Sequence, residues 1–178
     1  LPVSEYADDL GNRFIRLQTG KHEQLALHYR ATVDCDFEVR PASRIAPTPV
    51  AALENHAITY LFPSRYCQSD RLGRLAWDLF GKIAKPHDKV IAITEWIYDN
   101  VEYVRGSTNS ETSAYDTVTQ RVGVCRDFAH LGIALCRALN IPARYFTAYA
   151  YELDPPDFHA CFECYIGGEW MVFDATRL

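Results

Sequence analysis

The chain has 178 residues, 48% of them hydrophobic, and a formal net charge of −5. This length suits one domain, or a domain with a subdomain, and the apolar content is enough for a packed core. No apolar run approaches the roughly 18 residues of a membrane-spanning helix, so none is predicted. Net negative charge without a basic cluster argues against a nucleic-acid partner.

The N-terminal part predicts an antiparallel β-meander with one buried face. One strand is expected over residues 13–18 and a second over residues 23–37, where apolar side chains alternate. Several prolines then break the pattern. We therefore expect an antiparallel β-domain over residues 1–65 and a second domain over residues 66–178.

Two helices are predicted at the start of this second domain. The first is expected to be capped by Ser69 or Asp70 and to end near Phe80. The second is expected to run from Pro86 to about Asn100, with apolar residues at helical spacing. Both are predicted to pack on the core rather than to carry chemistry.

Two polar segments, residues 106–113 and 152–157, are predicted to be loops. The second directly precedes a histidine, which makes it a candidate rim or lid of a substrate cleft. The first is a candidate border of the same site. The alternative for each is an ordinary exposed turn.

Cys125 is the most informative residue of the chain. It follows a predicted turn that contains Gly123 and begins an apolar segment that predicts a helix to about Leu139. Unpaired N–H groups and the helix dipole favour a thiolate at a helix N-terminus, and the thiolate is the nucleophilic form of cysteine. The alternative is a buried, inert cysteine.

The predicted helix does not supply a base for this thiol. At about 100° per residue, Asp127 lies roughly 160° and His130 roughly 140° from Cys125 around the axis. Asp127 is better explained as a first-turn acid that faces the helix dipole. His130 is predicted to be a packed or capping histidine.

A base is predicted further along the chain, in a β-hairpin. Residues 158–166 and 169–174 are typical of strands, and Gly167-Gly168 between them is a two-residue turn signal. This turn places His159 and Asp174 on one face and on a diagonal, roughly 7–8 Å apart. A register shift of one residue would separate them.

Cys125, His159 and Asp174 are therefore the predicted catalytic residues. The thiol would be the nucleophile, the imidazole its base, and the carboxylate the group that orients the imidazole. The last two residues also have structural alternatives, as Cys125 does. His159 could be a hydrogen-bonded core residue, and Asp174 could simply end a strand.

These segments resemble the transglutaminase-like superfamily, especially a bacterial branch described as candidate cysteine proteases. The resemblance runs from about Tyr60 to the C-terminus and is carried by GVCRDFAHL, LNIPARY and FHA…W…FDAT. It implies a papain-like α+β core, in which a central helix packs on an antiparallel sheet. The family's Cys-His-Asp triad falls on Cys125, His159 and Asp174, and the chemistry implied is acyl transfer through a thioester.

The chain departs from the family pattern at two positions. Cys161 stands where relatives usually have Trp, and in the predicted register it opposes Asp174 on the His159 face. Asn140 stands where relatives usually have Gly, a mild change because Asn tolerates the left-handed conformation of a helix end. Relatives also carry more chain on both sides, so we expect a piece of a longer protein with an incomplete N-terminal β-domain.

The function expected is hydrolysis of a peptide or carboxamide, with a protein or peptide as substrate. The alternatives are a protein-glutamine transglutaminase and a non-catalytic binding or scaffolding domain on the same fold. Six cysteines without the spacing of a small secreted domain favour reduced thiols and a cytoplasmic location. No cofactor is expected. Zinc ligation by Cys125, His159 and Cys161 is conceivable, but we predict no required metal.

Overall fold

The computed structural model divides into two compact units, residues 1–38 and 39–178. The residues it describes are 1–21, 23–28, 30, 32, 34, 36, 38, 39, 41, 45–154 and 157–177. Within these ranges, no helix has both the length and the apolarity needed to cross a bilayer. The domain boundary predicted after residue 65 falls inside the second unit.

The first unit contains a β-hairpin. Strand β1 (Val3–Ala7) pairs antiparallel with β2 (Arg13–Leu17), and Asp8 Oδ1 in the connecting turn accepts bonds from two backbone amides at 2.9 Å. The strand predicted over residues 13–18 is confirmed, whereas β1 was not predicted.

The second predicted strand, over residues 23–37, is only partly described. Tyr29, Ala31, Val33, Cys35 and Phe37, which include most of its alternating apolar positions, lie outside the described residues. The described residues of this segment are not in a strand.

The second unit begins with the short helix α1 (Asn55–Ile58), which lies between 3₁₀ turns at Val50–Ala52 and Thr59–Leu61. Helices α2 (Ser69–Phe80) and α3 (Pro86–Asn100) follow. Both helices are confirmed at the predicted positions.

The predicted cap of α2 is wrong. Gln68 is the N-cap, its side chain makes no capping bond, and Ser69 is already helical. A tight turn before the helix explains the difference, because Ser64 and Cys67 exchange two backbone hydrogen bonds at 3.1 Å and Cys67 then accepts from the Ser69 amide. Asp70 lies in the first turn, where a negative charge still complements the helix dipole.

Three short elements lead to the central helix. Strand β3 (Glu102–Tyr103) pairs in parallel with β4 (Val122–Gly123), and α4 (Ala114–Gln120) lies between them. Helix α4 was not predicted, although Ser113 and Asp116 form a capping box at its start. This pairing brings Tyr103 beside the residues that precede the central helix.

The central helix α5 (Cys125–Ala138) packs on a three-stranded antiparallel sheet of order β5-β6-β7. The strands are β5 (Ala143–Tyr149), β6 (Phe158–Ile166) and β7 (Glu169–Phe173). The predicted α+β architecture, a central helix on an antiparallel sheet, is confirmed.

The register of the β6–β7 hairpin is the one predicted from sequence. Ile166 pairs with Glu169 and Phe162 with Phe173. Gly167 and Gly168 form the turn with φ values of 68° and 84°, a region that favours glycine. The helix end is also as expected, since Asn140 takes a left-handed φ of 61°.

The helix and the sheet meet at close range. Residues 127–136 of α5 are all buried, and Phe162 in the middle of β6 is fully buried. A Cβ atom built on Gly132 would lie 2.6 Å from Cε1 of Phe162. The absence of a side chain at residue 132 therefore sets how near α5 can approach the strand that carries His159.

Gly132→Ala is expected to lower the free energy of unfolding by about 1–2 kcal/mol. Overpacking against Phe162 outweighs the better helix propensity of alanine, because the Phe162 ring also packs on Phe173 at 6.0 Å and cannot easily retreat. Urea unfolding at neutral pH measures the change.

Gly73→Ala in α2 is the matched control. A Cβ there meets nothing within 4 Å, so this variant is expected to gain about 0.5–1 kcal/mol. A Gly132→Ala variant as stable as the parent protein would show that the helix and the sheet are not in tight contact.

Candidate functional site

Cys125 is the first residue of α5 and is half-buried. The residue before it, Val124, is extended, with φ −120° and ψ −179°. An amide in the first turn of a helix has no acceptor within the helix, so the Cys125 N–H is available to other groups. The thiol therefore lies where a nucleophile and an oxyanion donor can be supplied by one residue.

Asp127 fixes the start of this helix. Its carboxylate is fully buried and accepts hydrogen bonds from the Val124 amide at 2.9 Å and from Thr108 Oγ1 at 2.6 Å. Arg126 lies 3.3 Å from the other carboxylate oxygen and donates to the Asn109 carbonyl at 2.9 Å. The predicted first-turn acid thus also ties the loop 106–113 to the helix start.

His130 is a packing residue, as predicted. Its ring stacks on Tyr66 at 5.1 Å with an interplanar angle of 5° and lies 5.3 Å from Tyr145. Its Nδ1 atom is buried and has no hydrogen-bond partner among the described residues. Burial lowers the pKa of His130 to about 4, so the ring is neutral at physiological pH. It is not a base for Cys125.

His159 and Asp174 are in direct contact, as the register predicts. The distance from His159 Nε2 to Asp174 Oδ2 is 2.7 Å, and His159 is only 7% exposed. An ionised carboxylate can only accept, so Nε2 is assigned the proton and Nδ1 keeps its lone pair. The imidazole is thereby oriented with Nδ1 as the basic nitrogen.

Thr176 holds this carboxylate in place and was not identified from sequence. Its Oγ1 donates to Asp174 Oδ1 at 2.6 Å, and its amide donates to the same oxygen at 2.8 Å. The hydroxyl also lies 3.3 Å from His159 Nε2. The hairpin register did place residue 176 opposite His159, so its proximity, though not its role, was readable from the sequence.

Cys125 and His159 line the same cavity, which has a volume of about 430 Å³. Both predicted border loops contribute to it, and Pro155 and Pro156 of the second loop lie outside the described residues. The other lining residues are Tyr103, Arg105, Gly106, Val124, Leu153, Asp157, Phe158, Thr176 and Arg177. The structure therefore brings the predicted nucleophile and base to one concave surface.

Tyr103 is a further residue of this site that the sequence did not reveal. Its phenol interacts with both the backbone and the thiol of Cys125. Burial, followed by the proximity of that thiol, raises the pKa of Tyr103 above its usual value. Its hydroxyl therefore remains protonated at neutral pH and can donate a hydrogen bond next to Cys125.

Cys161 lies on the same face of β6 as His159 and is 6% exposed. Burial raises the pKa of Cys161 to about 12, with a further contribution from the neighbouring Asp174 carboxylate. The five cysteines in the described ranges are all free thiols. Cys161 is therefore a protonated thiol near the carboxylate that orients His159, with its sulfur within 4.8 Å of a carboxylate oxygen.

Comparison with known proteins shows the family. The model of the transglutaminase-like superfamily matches residues 74–175, a segment that contains Cys125, His159 and Asp174, and the chain belongs to this superfamily. An uncharacterised protein of Mycobacterium leprae is 32% identical over 166 residues, which cover 88% of this chain and 59% of the relative. This chain thus spans less than two thirds of that relative's length.

Solved structures agree with this assignment. A crystal structure from Cytophaga hutchinsonii, named "Putative Cysteine Protease", is 68% identical to this chain and superimposes with a TM-score of 0.73. The match covers 76% of this chain and 47% of the Cytophaga hutchinsonii chain. The periplasmic domain of TgpA from Pseudomonas aeruginosa, in a structure bound to ethylmercury, is 24% identical with a TM-score of 0.55, over 67% of this chain and 48% of its own. The second likeness concerns the fold alone.

Proposed function

We propose that this chain is a cysteine-dependent acyl-transfer enzyme, most simply a peptidase or amidase. Cys125 is the nucleophile, His159 its base, and Asp174 the carboxylate that orients the imidazole. The observation that carries the proposal is the 2.7 Å contact of His159 Nε2 with Asp174 Oδ2, on a cavity that Cys125 also lines. Membership of the transglutaminase-like superfamily supports it.

The reaction begins when His159 Nδ1 accepts the proton of the Cys125 thiol. The sulfur then attacks the carbonyl carbon of an amide, and the carbonyl oxygen becomes an oxyanion. His159 returns the proton to the leaving amine, the C–N bond breaks, and a thioester to Cys125 remains. The carboxylate of Asp174 stabilises the imidazolium during these steps.

Two donors are available for the oxyanion. One is the backbone N–H of Cys125, which has no acceptor within its helix and faces the Tyr103 phenol oxygen, an acceptor that a bound oxyanion would replace. The other is the Tyr103 hydroxyl, which interacts with both the backbone and the thiol of Cys125. Donors fixed in position before reaction stabilise the developing charge without reorganisation. Tyr103 thus fills the role for which the sequence offered no candidate.

The acyl acceptor decides between a hydrolase and a transglutaminase. Water releases a carboxylic acid, whereas a lysine-type amine forms a new amide. The name of the Cytophaga hutchinsonii relative, which is 68% identical, favours hydrolysis. A protein or peptide substrate, the lack of nucleic-acid and membrane partners, and a cytoplasmic location stay predictions.

A non-catalytic binding domain is the competing proposal. It draws on the resemblance described above, in which the family pattern usually has Trp at the position of Cys161. Against it stands the oriented His159–Asp174 pair, because a binding domain has no need for an imidazole with a free Nδ1 atom.

Thiol-dependent amide cleavage tests the proposed function. The full chain is incubated with a peptide mixture, and products are followed by mass spectrometry. Cys125→Ser and His159→Ala are each expected to lower kcat/KM by about 10⁴-fold or more. His56→Ala is the matched control and should keep full activity, since His56 is exposed, contacts Glu54 and the Tyr165 ring, and is not among the residues that line the cavity.

The acceptor is identified in the same experiment with glutamine peptides, by ammonia release with and without a primary amine. Deamidated or cleaved products in the presence of the amine indicate hydrolysis, and amine-linked products indicate a transglutaminase.

Amide cleavage that persists in Cys125→Ser would rule out Cys125 as the nucleophile. A folded parent protein with no turnover at all would favour the binding domain.

Tyr103→Phe is expected to lower kcat by about 10²-fold with a smaller change in KM, because the lost hydroxyl acts on the transition state. Steady-state kinetics on a cleaved peptide measure both constants. Tyr98→Phe is the control, since Tyr98 on α3 has a similar exposure, 51% against 49% for Tyr103. An unchanged kcat in Tyr103→Phe would remove this residue from the oxyanion site.

A further inference from the structure

Three metal-binding side chains converge on the β6–β7 hairpin. His159 and Cys161 are two residues apart on β6 and therefore face the same side. Asp174 follows Phe173, which pairs with Phe162, so Asp174 lies opposite Cys161. The ligand atoms of these three residues all lie within 4.8 Å of one another.

The three groups make a suitable donor set for zinc. Imidazole nitrogen, thiolate sulfur and carboxylate oxygen are the ligands that Zn²⁺ uses, and sites with three protein ligands leave a fourth position open. Tetrahedral bonds of about 2.0–2.3 Å separate the ligand atoms by about 3.3–3.8 Å. The His159–Asp174 contact, at 2.7 Å, needs to widen by only about half an ångström.

The surroundings also favour a defined site. His159 and Cys161 are buried, so their positions are set by packing. Asp174 Oδ1, the carboxylate oxygen that does not contact His159, accepts hydrogen bonds from the amide and hydroxyl of Thr176. Hydrogen bonds of this kind orient the ligands in known metal sites. A thiolate and an imidazole select against Ca²⁺ and Mg²⁺, which prefer oxygen ligands alone.

We propose that His159, Cys161 and Asp174 form an inhibitory site for Zn²⁺ or a similar borderline-soft divalent cation. Binding is independent of the proposed enzyme activity, whereas inhibition rests on it. The cluster differs from the zinc site considered from sequence, because it contains Asp174 in place of Cys125. It depends on Cys161, which supplies its only sulfur ligand.

The proton balance explains inhibition. A bond from the cation to Cys161 Sγ displaces the S–H proton to solvent. A bond to His159 Nε2 displaces the Nε2 proton, which is otherwise donated to Asp174. The neutral ring then carries its single proton on Nδ1. The nitrogen that has to accept the Cys125 proton no longer has a lone pair, so attack on the substrate cannot begin.

Cobalt(II) is the probe, because a Co²⁺–thiolate bond gives a charge-transfer absorption band. Titration of the full chain with Co²⁺ in a non-chelating reductant is expected to produce this band, and Zn²⁺ should abolish it by displacement. Cys161→Ser should lose the band and bind Zn²⁺ at least about 10-fold more weakly. Cys125→Ser should keep the band.

The opposite pattern overturns the proposal: a band that survives in Cys161→Ser but disappears in Cys125→Ser assigns the cation to Cys125. Absence of the band in the parent protein also overturns it. If Cys161→Ser does not fold, Cys161→Ala is substituted, and a Zn²⁺-induced rise in Tm of the parent protein that Ca²⁺ does not produce gives a second readout.

Inhibition is measured separately, as the Zn²⁺ concentration that halves each enzyme's own metal-free rate. This concentration should rise at least about 10-fold in Cys161→Ser, in parallel with the weaker binding. Equal sensitivity of the two proteins would overturn the inhibitory role. A parent protein that shows the cobalt band but no amide cleavage would count against the proposed function and leave the metal site standing.

Discussion

The hydrogen bond between His159 and Asp174 is the interaction on which the candidate site depends. It joins the ends of two strands that are connected by only two residues, so the register of one hairpin decides whether it forms. A shift of one residue would turn Asp174 to the opposite face of the sheet. Gly167 and Gly168, both with positive φ, therefore control the geometry of a site at the other end of the hairpin.

The position of Cys125 relative to this pair depends on a second contact. Helix α5 lies against β6 where Gly132 meets Phe162, and the missing side chain allows the close approach. The buried Asp127 network then fixes where the helix begins. Two local constraints thus determine how a thiol and an imidazole, 34 residues apart in the sequence, come to line one cavity.

Local patterns in the sequence predicted the parts of the site that depend on short-range signals. The Gly-Gly turn and the strand alternation were enough for the His159–Asp174 contact, and the apolar periodicity was enough for α5. Tyr103 could not be found in this way, because β3 has two residues and its partner β4 lies about 20 residues further on. Such short parallel pairing leaves no periodic signal.

Other differences have equally local causes. Helix α4 has only seven residues, too few for a clear amphipathic pattern, although its capping box was visible. The start of α2 was predicted from cap preference alone, and the turn between Ser64 and Cys67 overrode that preference. The register placed Thr176 opposite His159, but its two hydrogen bonds to Asp174 depend on a side-chain position that the sequence does not define.

The convergence of the Cys125 sulfur and the His159 imidazole is tested most directly by alkylation with iodoacetamide at mildly acidic pH, with the modified residues mapped by peptide mass spectrometry. We expect Cys125 to react faster than the buried thiols of Cys67, Cys136, Cys161 and Cys164. We also expect this difference in rate to disappear in His159→Ala and to persist in His56→Ala. Uniformly slow alkylation, or a Cys125 rate that is unaffected by His159→Ala, would show that the His159 imidazole does not activate the Cys125 sulfur.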